Sequence, residues 1–518
     1  MKNKYPNIPG VNVDVKDGQL LLAQNRSANS ILIIAEANTN REVPDGPIYI
    51  SSEQEMIYNF GNFFYQGQVN PIAIQWLTAY QNGFGNIYLM ALSSGDEKKK
   101  FADLYDKLFG VMADLSISHV ALDGFYSNKP VEGLTPQDFG LESDEDIPAS
   151  LPAYFVRTAV TAPVAPSEPV NLMIEDSAKS QFVLTIEVED FVEGKLNVEG
   201  LNHNLQEAIT LGYANFEAEL KLDKTGNVIF KSASPVVLSA ADALTGADAL
   251  TVLGLTDVEE EIQIEGNPAV LLANFAEQVS QELGGTIAYI AAKPPLGADL
   301  TSIKAYVDDL MAQDNQISAY LQVVAGPQVG ITVPGSLRTQ WVSGLVHYVS
   351  LVNGLMPQYS PTNQILPGAR NLRFNFSPRQ LNDLIGNKYV TFRSKNGQIR
   401  VVDAVTTAPD LSVGQDIVKS DFTRLSTLRI MNHVVRRVRA ACDDFIGSPN
   451  EFIGYNGMNT AIKAVFDEII EQGIILDARY SIRLGDTLDS ANINITVLPQ
   501  FELRTVNATI ALSTPDNF

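Results

Sequence analysis

The chain is poor in cysteine, in histidine and in long apolar runs. Among its 518 residues there is one cysteine, Cys442, so an intrachain disulfide framework and a thiolate metal site are both excluded. No apolar run approaches the length of a membrane span, and the opening MKNKYPNIPG has no apolar segment of the signal-peptide kind. We therefore expect a protein that is made in a reducing cytoplasm and does not insert directly into a membrane.

Signals for catalysis are also lacking. The histidines are dispersed without metal-ligand spacing, at His119, His203, His347 and His433. The segment NGFGN lacks the third glycine of a dinucleotide loop, and neither GxxxxGK[ST] nor GxSxG occurs. The acidic run 142–146 lacks the regular spacing of a calcium loop. The sequence thus predicts no catalytic residue, no cofactor-binding residue and no metal ligand, and we do not expect an enzyme.

The charge is strongly acidic and unevenly distributed. The net charge of −24 argues against nucleic acid as a direct partner, because phosphate binding requires a basic surface. Residues 125–267 hold 25 acidic and 7 basic side chains, whereas residues 366–446 hold 13 basic and 7 acidic ones. This separation indicates that different surfaces of the protein meet different partners.

Strands alternate with helices of about a dozen residues before residue 124 and again after residue 267, which predicts an α/β core. Between them, proline-rich pieces and alternating strands predict a mostly β inserted domain. The predicted division is an N-terminal arm at 1–20, core at 21–124, acidic β-rich insert at 125–267, core again at 268–500 and a C-terminal arm at 501–518. In the second core part we expect a helix from Ser336 to about Leu351.

Both ends of the chain read as half-buried strands. Val11, Val13 and Val15 alternate with polar residues, as do Val506, Ala508, Ile510 and Leu512. Asp17-Gly18 and Pro499-Gln500 separate these segments from the rest, and we expect them to act as hinges. Either the strands pair with neighbouring copies by strand addition, or they close a sheet of their own chain.

The clearest helix of the sequence spans residues 421–446. Its apolar residues recur three or four positions apart from Leu425 to Cys442, which indicates a continuous core-facing stripe and a core thiol at Cys442. The remaining surface carries four arginines, Arg429, Arg436, Arg437 and Arg439. A second helix, from about residue 458 to 472, is expected to end at Gly473, and strands follow it.

These pieces, in this order, resemble a contractile tail sheath protein of myovirus-type bacteriophages. The resemblance rests on PGVNVDV, ISSEQEMIYNFG, NGFGNIYLMAL, NGQIRVVDAVTTAPD, the arginine-bearing helix, FIGSPN and the final strands. It covers residues 1–125 and about 330–518. Residues 181–256 resemble an insert of one branch of sheath-like proteins more weakly. VVDAVTT replaces the tryptophan-and-glycine segment that family members often carry, which leaves the branch open.

The resemblance implies a structural subunit that forms stacked hexameric rings around a tail tube. Members of the family exchange terminal arms between subunits and contract to drive the tube through an envelope. Implied partners are further copies of the chain, the tail tube protein, and baseplate and tail terminator proteins. The implied location is the tail of a virion that is assembled in the host cytoplasm. The four arginines would then face the tube.

Three alternatives remain open from the sequence. In the first, the arginines of the long helix do not face a tube but pair with acidic residues of their own domain, at Asp443, Asp444, Asp467 or Glu468. The acidic insert either keeps particles apart by repulsion or has no role of its own. In the third, the chain is not a phage sheath but a surface-exposed adhesin or hook-like protein, or the sheath of a non-phage injection particle.

Overall fold

The computed structural model describes residues 30–502 with gaps, and the following account is confined to them. The gaps are residues 94, 112–116, 142–147, 149–150, 152, 160, 177–180, 193–194, 213–217, 223–226, 233–235, 241–248, 256–260, 283–284, 296, 337, 414–415, 447–451 and 485–490. The chain divides into a large unit, Met1–Pro130 with Asn267–Phe518, and a small unit, Val131–Gly266. Both predicted terminal strands, at 11–15 and 506–512, lie outside the described residues.

Helices and strands alternate in the first part of the large unit. In chain order they are β1 (Ser30–Glu36), β2 (Ile48–Tyr49), α1 (Glu53–Phe60), β3 (Phe64–Tyr65), β4 (Gln68–Val69), α2 (Pro71–Gln81), β5 (Asn86–Leu92), α3 (Glu97–Val111) and β6 (His119–Leu122). The small unit contains β7 (Val131–Leu134), β8 (Ala153–Thr158), β9 (Val170–Asp176), β10 (Gln181–Ile186), β11 (Phe191–Val192), β12 (Lys195–Leu196), α4 (Val198–Gly212), β13 (Ala218–Leu222), β14 (Val228–Ser232), β15 (Val236–Ala240), α5 (Ala249–Leu253) and β16 (Glu261–Gly266).

The second part of the large unit holds the remaining elements. They are α6 (Pro268–Glu282), β17 (Ile287–Ala291), α7 (Leu300–Met311), β18 (Leu321–Val324), β19 (Val329–Ile331), β20 (Gln340–Val342), α8 (Leu345–Gly354), β21 (Asn371–Leu372), α9 (Pro378–Gly386), β22 (Tyr389–Val390), β23 (Phe392–Lys395), β24 (Gln398–Val401), β25 (Leu411–Val413), β26 (Asp416–Val418), α10 (Leu425–Asp443), α11 (Phe452–Glu471), β27 (Ile475–Leu484) and β28 (Ala491–Pro499).

A seven-stranded sheet forms the centre of the large unit, with the order β2-β5-β1-β6-β17-β18-β22. All neighbours in it are parallel except β2, which pairs antiparallel with β5. Residues 31–35 of β1 are completely buried, as expected where helices cover both faces of a parallel sheet. The prediction of a mixed α/β fold is confirmed.

Local signals in the sequence determine where several helices begin and end. Ser52 caps α1, because its hydroxyl oxygen accepts a hydrogen bond from the backbone N–H of Glu55 at 3.3 Å. Gly473 ends α11 with φ of +66°, the left-handed conformation that glycine adopts without a steric penalty. Gly473 has the role expected from the sequence.

The small unit is built from a five-stranded antiparallel sheet, β13-β14-β8-β16-β7, and a three-stranded sheet, β10-β9-β15. Strands β13 and β14 pair antiparallel, from Ala218 with Ser232 to Leu222 with Val228. The unit also contains the 15-residue helix α4, which the expectation of a mostly β domain did not include. Its residues Leu201, Leu205 and Ile209 recur every fourth position and join the core of this unit.

The helix predicted from Ser336 to about Leu351 is wrong in its first half. Residues 340–342 form strand β20, which pairs with β19, and the helix begins only at Leu345. Trp341 and Val342 have strand-favouring side chains, and Gly344 separates them from the helical run. A Cβ on Gly344 would lie 2.4 Å from the ring of Phe392, so a side chain there would collide with the ring.

The C-terminal part of the large unit packs α10, α11 and the hairpin β27–β28 around one apolar cluster. Its buried members are Ile430, Val434, Val438, Cys442, Ile462, Phe466, Ile469, Ile474 and Ile475. The predicted stripe of α10, including Leu425, Leu428 and Met431, is also buried. The helix therefore buries two faces instead of the single stripe expected, while the core position of Cys442 is confirmed.

Candidate assembly site

The hairpin β27–β28 is the longest strand pair among the described residues. Its ten- and nine-residue strands pair antiparallel from Ile475↔Pro499 to Leu484↔Ala491, with a bulge at Leu476. Each strand pairs only with the other, and no further described strand joins either outer edge. The hairpin therefore carries two rows of backbone N–H and C=O groups that no described strand satisfies.

The two faces of this hairpin differ in character. One face lies on the apolar cluster and contributes half-buried side chains, namely Ala478, Tyr480, Ile482, Ile493, Ile495 and Val497. The other face is exposed and mostly polar, with Arg479, Ser481, Arg483, Asn492, Asn494 and Thr496. The Tyr480 ring stacks on Phe466 of α11 at a centroid distance of 5.4 Å, which fixes the hairpin to the helix. The hairpin is thus held along one face, and within the described part of the chain no strand covers either outer edge.

The segment that follows the hairpin is anchored to the start of α10. The Ser426 hydroxyl donates a hydrogen bond to Glu502 Oε2 at 3.1 Å. The Arg424 guanidinium carbon lies 5.9 Å from the ring centre of Phe501. A carboxylate beside the first turn of a helix is stabilised by the unpaired N–H groups there. The root of the predicted C-terminal arm is therefore fixed up to Glu502, beyond the predicted hinge at Pro499-Gln500.

The four predicted tube-facing arginines lie on α10 but have different surroundings. Arg429 donates hydrogen bonds to the carbonyl oxygens of Leu355, Met356 and Tyr359, the latter two at 3.3 Å. Burial lowers its pKa to about 10. Since its donors are directed into a loop of its own unit, Arg429 holds the chain that follows α8 against α10.

The other three arginines range from buried to half-exposed. Arg436 donates from Nε to the carbonyl oxygen of Asn432 at 3.2 Å, and burial lowers its pKa. Arg439 is 7% exposed and burial lowers its pKa too. Arg437 forms an ion pair with Glu468 of α11, so pairing within the domain holds for this residue. Tube contact by these arginines stays a prediction, and the Arg437 side chain is 40% exposed.

The crevice where open α/β sheets often bind ligands is filled by the protein itself. It lies at the carboxyl ends of β1 and β6, from which the chain proceeds to opposite sides of the sheet. The Lys100 ammonium donates to Glu36 and to the carbonyl oxygen of Gly124, and Gln75 donates to Asp123 at 2.6 Å. Burial raises the pKa of Asp123. The polar side chains at these strand ends are therefore paired with groups of their own unit.

Three histidines, His119, His347 and His433, are wholly or partly buried within the large unit. His119 Nδ1 lies 3.1 Å from the Tyr289 hydroxyl, and burial lowers its pKa to about 3. Burial lowers the pKa of His347 and of His433 to about 4. In the described ranges, His, Cys, Asp and Glu side chains form no group of three placed to hold a metal ion. Nor does any helix there combine the length and apolar character that a membrane crossing needs.

The sequence analysis predicted the strands of the hairpin but not its open edges, and it missed the anchoring role of Phe501 and Glu502. Polar residues alternating along both strands were the available signal for a pair with one exposed face. Nothing in the sequence separates an open edge from a paired one, because ladder hydrogen bonds involve only the backbone.

Comparison with known proteins links this fold to contractile particles. No protein-family model and no curated protein matches the chain. The cryo-EM structure of the anti-feeding prophage baseplate, six-fold symmetrised, contains a similar chain, with 12% identity and a TM-score of 0.51 over 98% of this chain and 99% of that one.

Two further structures match at lower TM-scores. The anti-feeding prophage helical sheath in the contracted state gives 0.47 at 12% identity, covering 98% and 99% of the two chains. The contracted sheath complex of an extracellular contractile injection system, PVC, gives 0.49 at 12% identity, covering 98% of each chain. The resemblance to contractile sheath proteins is confirmed at the level of the fold.

Proposed function

We propose that this chain is a structural subunit of a contractile tail sheath. It polymerises as stacked rings, six subunits to a ring, around a tail tube, and neighbouring copies exchange their terminal β-strands. The assembled array contracts and drives the tube through a target envelope. The role is structural rather than catalytic, and the partners are further copies, the tube protein, and baseplate and terminator proteins.

The single observation that carries this proposal is that neither outer edge of β27–β28 is joined by a strand of the described residues. Long exposed edges are normally avoided in soluble proteins because they template pairing with other chains. Ten and nine residues offer enough backbone for two added strands. The alternating segments at Val11–Val15 and Val506–Leu512 have the pattern of such strands. In the proposed assembly, arms of neighbouring copies extend the hairpin on both sides.

The anchoring of Phe501 and Glu502 supports a tether that begins at a fixed point. Because Glu502 is bound to Ser426, the freely pivoting part of the C-terminal arm would start after residue 502. Backbone hydrogen bonds along an added strand depend little on side-chain identity, so they persist while the bodies of the subunits rotate. Asp17-Gly18 is the corresponding hinge proposed for the N-terminal arm.

Deletion of residues 1–16 tests the role of the arms. We expect soluble, folded monomers with the circular dichroism spectrum of the full chain, because the described core begins only at residue 30. Negative-stain microscopy is expected to show no tubes for this variant and tubes with cogwheel cross-sections for the full chain. Tubes of normal length from the shortened chain would refute strand exchange through the N-terminal arm.

Tube contact is assigned first to Arg437, whose side chain is 40% exposed. Guanidinium groups on an exposed helix surface hold acidic partners by screened contacts that can later release. Arg437→Ala should reduce co-sedimentation with tubes while tube-free polymerisation continues. Arg379→Ala, on an exposed helix elsewhere in the unit, is the matched control. Equal tube binding by both variants would remove Arg437 from the interface.

The particle is either a bacteriophage tail or a non-phage contractile injection particle. The second possibility is supported by the match to a chain of the anti-feeding prophage baseplate over nearly the whole length of both chains. In either particle, the subunits would assemble by the same exchange of terminal strands. Purification of the native particle decides between them, since a phage tail is attached to a DNA-filled capsid.

A further inference from the structure

A small basic ribbon occurs in the large unit, on strands that precede α10 in the chain. It consists of β23, β24 and residues 363–366, which run alongside β24. The backbone N–H of Asn363 donates to Val401 O at 2.9 Å, and that of Leu366 donates to Ile399 O at 2.9 Å. Ile365 forms a bridge with Arg400. We call these three segments the basic ribbon.

One face of the basic ribbon is buried and the other is cationic. Phe392, Ile399 and Val401 are buried beneath it. On the outer face Arg393 lies directly opposite Arg400 in the β23–β24 register, while Ile365 bridges to Arg400 from the other side. Ile365 is 45% exposed. The outer face therefore presents a row of one apolar and two guanidinium side chains across the ribbon.

Two cations opposite each other on neighbouring strands repel, and this repulsion is not neutralised by the described surroundings. Arg400 donates to Asn363 O at 2.7 Å and to Gln398 Oε1 at 2.6 Å, and Arg393 contacts Asn363 Oδ1 at 3.4 Å. All these acceptors are uncharged. Among the described residues, neither arginine forms an ion pair. The face thus has the geometry for a carboxylate-bearing partner, because guanidinium groups bind carboxylates with charge-assisted hydrogen bonds.

The small unit provides acidic surface of this kind. Residues 131–266 contain 25 acidic and 6 basic side chains. Glu187 and Glu189 are exposed in the turn after β10, and neither forms an ion pair with a described cation. Val183 and Val188, in the same stretch, are each 46% exposed. Acidic and apolar groups there match the basic and apolar groups of the ribbon.

We propose that the basic ribbon of one copy binds the small unit of a second copy, with Arg393 and Arg400 facing Glu187 and Glu189. The proposal rests on the self-assembly put forward above and names one of its side-to-side contacts. A second copy is the occupant that the charges favour, since the chain as a whole carries −24 and assembly brings its acidic surfaces to high local concentration.

The first experiment measures the critical concentration for polymerisation of the full chain by sedimentation. Arg393→Glu/Arg400→Glu is expected to raise it about tenfold or more, and to weaken its dependence on salt, because two attractive contacts become repulsive. Lys304→Glu/Arg379→Glu makes the same change in net charge at exposed positions and should leave it within about twofold. Circular dichroism spectra of both variants are compared with that of the wild-type chain to check that they fold.

The second experiment identifies the partner surface. Glu187→Arg/Glu189→Arg, mixed with or combined into the Arg393→Glu/Arg400→Glu chain, should restore polymerisation. Mixed copies of Arg400→Cys and Glu189→Cys should form a disulfide between chains under mild oxidation, with little background because Cys442 is buried. Restoration together with the disulfide supports the proposal.

Three results overturn this inference alone: an unchanged critical concentration in Arg393→Glu/Arg400→Glu, a loss of assembly that charge exchange does not restore, or absence of the mixed disulfide in assembled samples. A loss without restoration assigns the ribbon to a different acidic partner. By contrast, a wild-type chain that never assembles overturns the proposed function itself, so the two failures are distinguishable.

Discussion

The central sheet and the β27–β28 hairpin differ in how their strands are paired and buried. Strand β1 has parallel partners on both sides, and its residues 31–35 are completely buried. The hairpin strands have one partner each among the described strands, and their polar face is exposed. The central sheet is thus paired and buried within the unit, whereas the outer edges of the hairpin have no partner among the described strands. Under the proposed function, stability and assembly would depend on different sheets of one unit.

The largest expected contrast is between a core strand and the hairpin. Leu32→Ala, in β1, should lower the free energy of unfolding by about 2–5 kcal/mol, because it leaves a cavity between packed layers. Ile495→Ala, on the half-buried hairpin face, should lower it by about 1 kcal/mol or less. Chemical denaturation followed by circular dichroism measures both. Equal losses would mean that the hairpin is as much a part of the stable core as β1.

The second contrast is between a buried histidine of the large unit, His347, and an exposed histidine of the small unit, His203, in how each affects the pH dependence of stability. His347 of α8 is buried with a pKa of about 4 in the folded state, below its ordinary value of 6.5. The unfolded chain therefore binds more protons between these values, so stability is full above pH 6.5 and is lost as the pH falls towards 4. At pH 4 the loss attributable to this histidine is roughly 3 kcal/mol.

His347→Leu should therefore reduce the slope of the free energy of unfolding against pH, on the acid side, by the equivalent of about one bound proton. His203→Leu, at an exposed position of the small unit, is the control. Denaturant titrations between pH 4 and 7 provide the slopes. A curve of unchanged slope for His347→Leu would show that the pKa of this histidine is the same in the folded and the unfolded chain.

The smallest contrast compares two arginines of α10. Arg429→Met leaves three backbone carbonyl oxygens without their donor and should cost about 1–3 kcal/mol of stability. Arg437→Met removes only a half-exposed ion pair with Glu468 and should cost less than about 1 kcal/mol. Thermal denaturation at equal salt ranks the two. The reverse ranking would place the structural role on Arg437 and free Arg429 for a partner.

Much of the core followed from local signals in the sequence. Gly473 predicted the end of α11, and apolar residues three or four positions apart predicted α10. These signals act within a few residues, where spacing and backbone preference decide the conformation.

The errors occurred where contacts distant in sequence decide the structure. Residues 340–342 form a strand because β19 lies beside them, and no helix begins before Leu345. Arg429 looked like a surface residue of an amphipathic helix, but the loop after α8 provides carbonyl acceptors for it. Its sequence neighbours give no sign of that loop. For the same reason the apolar stripe predicted only one of the two buried faces of α10.

A near-atomic helical reconstruction of the assembled chain tests the central claim most directly. The account predicts that β27 and β28 of every subunit are each extended by a strand that belongs to another copy. A polymer in which both outer edges of the hairpin stay unpaired, or are covered by the terminal segments of the same chain, would contradict it.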